Sequence, residues 1–205
     1  MLMQRIDMCE LLDPELRRRL VPADRRIFLS YARIDDEVPT LDPDAKGWVR
    51  YFYDQLRVAL RQRLAGEVEF WRDLKDIDEN EIFETAIEEG LDGSKLLLTV
   101  VSPSYLKSKW CSRERERFVA RQGGKGSADV ERVIKVLKHW LDERELPDEL
   151  RERTGYRFFL VEPETKREIQ LYFNGKLRRE AEYTDRVEQL VDYIVRSLQP
   201  RRSDP

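Results

Sequence analysis

The segment Lys95–Phe118 constrains the fold of this chain more than any other stretch. It reads KLLLTVVSPSYLKSKWCSRERERF, and within it Leu96–Val101 is a continuous run of strand-forming, mainly apolar residues. The run stops at Ser102, a favourable helix N-cap, and at Pro103, whose ring fixes φ for the first helical turn. The segment therefore predicts a buried strand that leads directly into a helix.

The predicted helix, Pro103–Arg121, places a carboxylate on an otherwise apolar stripe. The side chains spaced four residues apart along this stripe are Leu106, Trp110, Glu114 and Phe118. Because four residues turn a helix by about 400°, these side chains lie almost in line. Packing alone does not explain an acid between Trp110 and Phe118. The acid follows the C-terminal end of a buried strand, where open α/β sheets bind ligands.

Strand-like and helical segments alternate along the whole chain. The predicted strands are Arg26–Tyr31, Val68–Trp71, Leu96–Val101, Arg132–Leu137 and Tyr156–Val161. The predicted helices are Ala45–Ala65, Glu81–Glu89, Pro103–Arg121, Leu146–Arg153 and Tyr183–Leu198, and a small hairpin is expected at Asn174-Gly175. This alternation predicts an α/β fold of the flavodoxin-like type, with a central five-stranded parallel sheet and helices on both faces.

The length of the chain suits one domain with short additions at its ends. A chain of 205 residues can fill one hydrophobic core. We expect an N-terminal helical extension over residues 1–24, the α/β domain over residues 25–199, and a tail or the start of a linker over residues 200–205. The extension carries an amphipathic fragment, and its role stays open.

Composition and charge disfavour several classes of function. The chain has 38 basic and 41 acidic residues and a net charge of -3, which gives no reason to expect nucleic-acid binding. It has no apolar run of the roughly 18–20 residues needed to span a bilayer, and its N-terminus lacks the apolar core of a signal peptide. Two cysteines and one histidine disfavour a disulfide framework, a metal site and a Ser-His-Asp triad. A cytoplasmic location is the simplest expectation.

Two motifs together resemble a known family. The strand followed by SPSY leads into a W-C-x-x-E motif that ends at Glu114, and Arg26–Asp35 reads RIFLSYARID. In this order and spacing, the motifs resemble the Toll/interleukin-1 receptor (TIR) domain family, and within it the NAD-cleaving prokaryotic type. The resemblance extends to about Gln199. Arg72–Ile82 corresponds to the BB loop of that family, which contacts a neighbouring subunit when TIR domains stack, but it lacks the usual glycine.

The resemblance implies an enzyme. TIR-like enzymes cleave the nicotinamide–ribose bond of NAD, and the glutamate on which their activity depends corresponds to Glu114. Its carboxylate would hold the ribose hydroxyls and stabilise the oxocarbenium-like charge as nicotinamide leaves. Trp110 would form a wall of the same pocket. NAD is then a substrate, no cofactor or metal is implied, and capture by water or by the adenine base would give ADP-ribose or a cyclic product.

Further candidate substrate-binding residues lie close to the ends of the predicted strands. They are Tyr31, Arg33, Phe70, Arg72, Asp73 and Ser102. Tyr31 and Phe70 are expected to pack against a ring of the ligand. Arg33 or Arg72 is expected to meet its phosphates. The alternative is that the aromatic residues only close the ends of strands and that Asp73 belongs to a solvated loop.

Two classes of function remain open. The first is a NAD glycohydrolase that is activated by self-association in immune defence or cell-death signalling, with a sensor domain on the same or another chain. The second is a non-enzymatic module that recruits other TIR domains, in which Glu114 would be a surface acid paired with Arg113 or Arg117. A flavodoxin-like or receiver protein is the least favoured, because the loop after the first strand has no glycine to cradle a phosphate.

Overall fold

The computed structural model describes residues 21–38, 44–72, 81–121, 132–151, 153 and 155–199. Most of the predicted N-terminal extension, the loop after the W-C-x-x-E helix and the C-terminal tail lie outside the described residues. The predicted domain boundaries therefore stay predictions.

Five strands form the parallel sheet that the sequence predicts. They are β1 (Arg26–Tyr31), β2 (Glu69–Arg72), β3 (Leu96–Val101), β4 (Val133–Leu137) and β5 (Gly155–Arg157). Their order in the sheet is β2-β1-β3-β4-β5, and every neighbouring pair is parallel. Strand β3 has the predicted bounds, and all of its side chains are buried, as expected for a central strand covered on both faces.

Helices cover both faces of the sheet. They are α1 (Trp48–Leu64), α2 (Glu81–Gly93), α3 (Pro103–Lys107), α4 (Lys109–Arg121), α5 (Asp148–Arg151) and α6 (Glu180–Leu198). Helices α1 and α6 pack on one face, and helices α2 to α5 pack on the other. The predicted α/β architecture of the flavodoxin-like type is confirmed. Among the described helices, none is both long enough and apolar enough to cross a membrane.

The alternation of side chains along β1 divides the core into its two halves. Ile27, Leu29 and Tyr31 belong to the cluster beneath α1 and α6. Phe28 belongs to the cluster beneath α2 to α5. Since successive strand residues point to opposite faces, Ser30 lies on the same face as Phe28. This division decides which predicted site residues can meet Glu114.

The single helix predicted over Pro103–Arg121 is wrong, because the chain forms two helices there. Helix α3 ends before Ser108, whose backbone is extended with φ -76° and ψ 117°. The Ser108 hydroxyl accepts a hydrogen bond from the backbone N–H of Cys111 at 3.3 Å and so caps the start of α4. The apolar stripe is therefore interrupted between Leu106 and Trp110.

The fifth predicted strand, Tyr156–Val161, also divides into two. Strand β5 continues the parallel sheet next to β4. After Phe158 the chain forms β6 (Phe159–Val161), which pairs antiparallel with β7 (Glu168–Gln170). A second hairpin, formed by β8 (Tyr172–Phe173) and β9 (Lys176–Leu177), turns at Asn174-Gly175 as predicted.

Helix α2 runs past the predicted end at Gly90. This glycine is buried within the helix, and a Cβ atom added to it would lie 2.6 Å from Cε3 of Trp71. The glycine therefore allows the Trp71 ring to approach the helix, and it does not end the helix. Helix α1 begins at Trp48, three residues later than predicted, because Ala45–Gly47 is not helical.

Candidate functional site

Glu114 is a buried acid that contacts the sheet. It lies in α4, exposes 7% of its surface, and its Oε2 accepts a hydrogen bond from the Ser30 hydroxyl. Ser30 is the penultimate residue of β1, so this contact lies close to the C-terminal edge of the sheet. A carboxylate removed from water needs such a donor, because burying it without one is costly. The contact fixes the orientation of the carboxylate against β1.

The described contacts do not support the interpretation of Glu114 as an ordinary surface acid. Arg117, one of the two expected partners, contacts α2, where its Nη1 lies 2.5 Å from Glu88 Oε1 and its Nη2 lies 3.4 Å from Asp92 Oδ2. Arg113 stacks its guanidinium over the Trp110 ring, 5.0 Å from the ring centroid. Glu114 thus faces the sheet, while its basic neighbours serve other contacts.

Tyr105 and Cys111 complete the buried surroundings of Glu114. Tyr105 is fully buried, and in the described part of the chain its hydroxyl makes no hydrogen bond. Burial raises the pKa of Tyr105, with smaller contributions from Cys111 and Glu114. Burial also raises the pKa of the Cys111 thiol to about 12, with a smaller contribution from Glu114. Both groups are therefore neutral at physiological pH, and Cys111 is a buried core residue rather than a reactive thiolate.

Trp110 lies one turn before Glu114 on α4 and is half-buried. Its ring is covered on one side by the Arg113 guanidinium, a cation–π contact. Of the predicted substrate-binding residues, Trp110 is the one that shares a helix with the acid.

Ser102 is part of a buried polar network at the C-terminal edge of the sheet. Its hydroxyl accepts a hydrogen bond from the backbone N–H of Tyr105 at 3.0 Å, as the predicted N-cap of α3. The same hydroxyl donates to Oδ2 of Asp35 at 2.5 Å. Lys138 Nζ lies 3.1 Å from Asp35 Oδ1 and 2.9 Å from its backbone oxygen. The network connects the segments that follow β1, β3 and β4. Its contacts give the buried Ser102 hydroxyl both a hydrogen-bond donor and an acceptor.

The structure does not bring Tyr31 and Phe70 together with Glu114. Tyr31 is buried in the cluster beneath α1 and α6, on the opposite face of the sheet from Ser30. Phe70 packs on the same opposite face, where its ring meets that of Tyr53 edge-on with centroids 5.3 Å apart. The expectation that these two rings line one pocket with Glu114 is wrong, because the alternation of side chains along β1 and β2 directs both rings to the opposite face of the sheet.

The remaining predicted residues are Arg33, Arg72 and Asp73. Arg33 is exposed in a 3₁₀ turn, Arg33–Asp36, that follows β1. Arg72 is the last residue of β2, and Asp73 lies outside the described residues. Their predicted contacts with substrate phosphates therefore stay predictions.

Sequence reasoning missed Ser30 and the pairing of Asp35 with Lys138. A signal for Ser30 was present, because it is a polar residue in an otherwise apolar strand, on the face opposite to Tyr31. The pairing of Asp35 with Lys138 joins residues 103 positions apart, and no local pattern indicates it.

Among the cavities lined by described residues are two of substantial size, and Glu114 is not in the lining of either of these. One, of about 400 Å³, lies between the start of α1 and the β8–β9 hairpin and includes Trp48, Lys138 and His139. The other, of about 630 Å³, lies along β4 and β5 and includes Lys135 and Arg157.

Two of the solved structures that this chain resembles are distant from it in sequence. The TIR domains of the activated Roq1 resistosome, which recognises the pathogen effector XopQ, share 13% identity, with 83% of this chain and 99% of that chain covered and a TM-score of 0.47. The flavoenzyme FerB, an NAD(P)H:acceptor oxidoreductase from Paracoccus denitrificans, also shares 13% identity, with 84% and 98% covered and a TM-score of 0.36. No curated protein shows significant sequence similarity to the chain.

The family comparison is more informative than these distant structures. The sequence model of the TIR domain matches residues 27–171, which is more than half of the 205 residues. The match includes the Ser30–Glu114 contact and the whole parallel sheet except Arg26, the first residue of β1. The chain therefore belongs to the TIR domain family.

Proposed function

We propose that this TIR domain is a NAD glycohydrolase whose catalytic residue is Glu114. The observation that carries the proposal is the buried Glu114 carboxylate, held by the Ser30 hydroxyl near the C-terminal edge of the sheet. An interaction module has no evident need for a buried, oriented acid at this position. Ligands bind to open α/β sheets at this edge. Buried carboxylates are common in catalytic sites.

The proposed reaction breaks the bond between the nicotinamide nitrogen and the ribose of NAD. The electron pair of this bond leaves with nicotinamide, and positive charge develops on the ribose ring. The Glu114 carboxylate accepts hydrogen bonds from the ribose hydroxyls and stabilises this charge, as carboxylates do in glycoside hydrolysis. Water then adds to the ribose carbon and loses a proton, which gives ADP-ribose, whereas attack by an adenine nitrogen gives a cyclic product.

Ser30 has a positioning role in this proposal. Its donated hydrogen bond to Oε2 holds the Glu114 carboxylate in one orientation against β1. Trp110 forms the aromatic wall one helical turn away. The Asp35–Ser102–Lys138 network holds the ends of three strands together beneath the substrate.

One observation favours the alternative, a non-enzymatic module that recruits other TIR domains. Glu114 exposes only 7% of its surface, and the two cavities described above lie elsewhere. In this alternative, the buried acid would only join α4 to β1. Self-association through TIR–TIR contacts is part of both proposals. We also propose a role in immune defence or cell-death signalling, which the family resemblance supports, and a cytoplasmic location.

The two functions are separated by measuring nicotinamide release from NAD by chromatography over a range of protein concentrations. The oligomeric state is followed at each concentration by light scattering. The glycohydrolase proposal predicts release that rises more steeply than in proportion to protein concentration, because self-association activates the site. Absence of release at concentrations where the chain is oligomeric would contradict the glycohydrolase and favour the recruiting module.

A further inference from the structure

The cleft of about 630 Å³ along β4 and β5 is separate from the Glu114 contact. It lies at the β5 edge of the sheet, between this edge and the segment that contains α5. Its volume falls within the range of about 300–1,000 Å³ that is usual for small-molecule sites. The lining carries five basic side chains, Lys135, Arg144, Arg151, Arg153 and Arg157, against two acidic ones, Asp142 and Glu143.

Lys135 is a buried cation in the lining of the cleft. It exposes 4% of its surface, and its Nζ donates a hydrogen bond of 2.7 Å to the backbone oxygen of Leu150. Within the described residues, no carboxylate lies within ion-pair distance of this ammonium group. A buried ammonium without a counterion is costly, so an anion in the cleft would stabilise it. Burial lowers the pKa of Lys135, the negative charge of Glu143 acts in the opposite direction, and Arg157 lowers the pKa further.

The backbone of β5 provides the space for this cation. Gly155 is the register partner of Lys135, and a Cβ atom added to Gly155 would lie 2.8 Å from Cε of Lys135. The lysine stem therefore crosses the glycine towards the cleft. Arg157 follows two residues later, on the same face of β5.

Arg157 is the second cation that is available to a ligand. Its side chain is exposed, and in the described part of the chain this side chain makes no hydrogen bond or ion pair. By contrast, Arg144 contacts Asp142 at 2.6 Å, and Arg151 contacts Asp148 at 3.0 Å. The available positive charge is thus concentrated at one end of the cleft.

Trp140 supplies a planar surface at the rim. Its side chain is 60% exposed, while its backbone N–H donates to Oε2 of Glu168 at 2.8 Å. The contact with Glu168 fixes the position of the backbone, so the exposed ring is presented from an anchored segment. Exposed tryptophans next to cations suit the stacking of an aromatic base.

We propose that this cleft binds a phosphate-bearing ligand with a planar ring, which is the chemistry of a nucleoside diphosphate. Lys135 and Arg157 contact the phosphates, and Trp140 stacks on the ring. The site is distinct from the one at Glu114 and would regulate the domain or carry a bound nucleotide. The inference does not depend on the proposed glycohydrolase activity.

The test is calorimetric titration of the whole chain with ADP, with inorganic pyrophosphate and with adenosine. Arg157→Gln is the principal variant, because an exposed side chain can be replaced without loss of the fold. Lys176→Gln is its matched control, since Lys176 is an exposed cation on the β8–β9 hairpin, outside the lining. Lys135→Met tests the buried cation if circular dichroism shows that it folds.

We expect Lys176→Gln to bind ADP with the same affinity as wild type, and likewise pyrophosphate, and we expect both proteins to bind ADP more tightly than pyrophosphate. Arg157→Gln should weaken the binding of both ligands by about tenfold or more, since one charge-assisted contact is lost. Trp140→Ala should weaken the binding of ADP and leave the binding of pyrophosphate unchanged. Absence of binding to wild type, or equal binding by Arg157→Gln, would overturn the proposal, because a ligand held only near Glu114 is insensitive to Arg157. Equal affinities for ADP and pyrophosphate would overturn the stacking on Trp140.

Discussion

The Ser30 hydroxyl on β1 donates a hydrogen bond to Oε2 of Glu114 on α4. These residues are 84 positions apart, and both are buried. The contact joins the first strand to α4, the second helix after the third strand, and it orients a carboxylate at the edge where α/β sheets bind ligands. The following predictions test this contact, the packing that supports it and the activity proposed for it.

Replacing Ser30 with alanine should lower kcat more than it changes KM. Glu114 would lose the donor that orients it, and a hydrogen bond to a charged group corresponds to about a tenfold to hundredfold change in rate. The measurement is the rate of nicotinamide release over a series of NAD concentrations. Val136→Ala is the control, because Val136 is fully buried in the other half of the core. If Val136→Ala destabilises the domain as much as Ser30→Ala does and also lowers kcat as much, Ser30 has no positioning role.

Asp35→Asn should destabilise the domain by roughly 2–4 kcal/mol. The variant keeps the shape of the side chain but leaves the mostly buried Lys138 ammonium without its counterion. Urea unfolding followed by circular dichroism gives the difference in free energy. Asp54→Asn is the matched control, since the ion pair of Asp54 with Lys46 is exposed and should contribute less than about 1 kcal/mol. Equal effects of the two variants would show that the network adds no special stability.

Gly90→Ala should destabilise the domain although alanine favours helices. The new Cβ would lie 2.6 Å from the Trp71 ring, and overpacking costs about 1–3 kcal/mol against a gain in helix propensity of about 1 kcal/mol. Gly93→Ala is the control on the same helix, because its Cβ would meet Arg26 Nη1 at an ordinary 3.7 Å. In thermal unfolding, the Tm of Gly90→Ala should be lower than that of wild type, and the Tm of Gly93→Ala should be equal to or higher than that of wild type. The reverse order would contradict the packing of Trp71 against α2.

The free energy of unfolding should fall as the pH rises above about 9, partly because of Cys111. Burial raises the pKa of its thiol to about 12 from 9.0, so between these values the unfolded chain loses the proton that the folded chain keeps. Stability from this group is thus complete below pH 9 and falls by about 1.4 kcal/mol per pH unit up to pH 12. Unfolding in urea at several pH values should give a shallower slope for Cys111→Ala than for wild type. Equal slopes would mean that the thiol is not desolvated.

Local pattern was sufficient to predict most of the sheet. The apolar run Leu96–Val101 is bounded by polar residues and Pro103, so its ends could be read directly from the sequence. The segment Tyr156–Val161 was different, because all of it favours a strand. Its division depends on which half pairs with β4 and which pairs with β7, and this is a tertiary property.

The acid of the site could be predicted, but its surroundings could not. Glu114 stood out because it interrupts an apolar stripe. The sequence also suggested Tyr31 and Phe70 as neighbours, because both lie near strand ends, yet alternation along the strands directs them to the other face. Ser30 was the residue on the correct face. The contacts of Asp35 with Lys138 and Ser102 require the folded chain, since they join loops that follow three different strands.

The central claim is that the Glu114 carboxylate performs the chemistry on NAD. Its most direct test is the initial rate of nicotinamide release by wild type, Glu114→Gln and Glu116→Gln at one protein concentration at which all three associate equally. Glu116 is an exposed glutamate on the same helix, so its variant controls for the loss of one charge from α4. We predict release by wild type and Glu116→Gln at similar rates, and a rate for Glu114→Gln that is lower by at least about a hundredfold. Release by Glu114→Gln at the wild-type rate would contradict the claim.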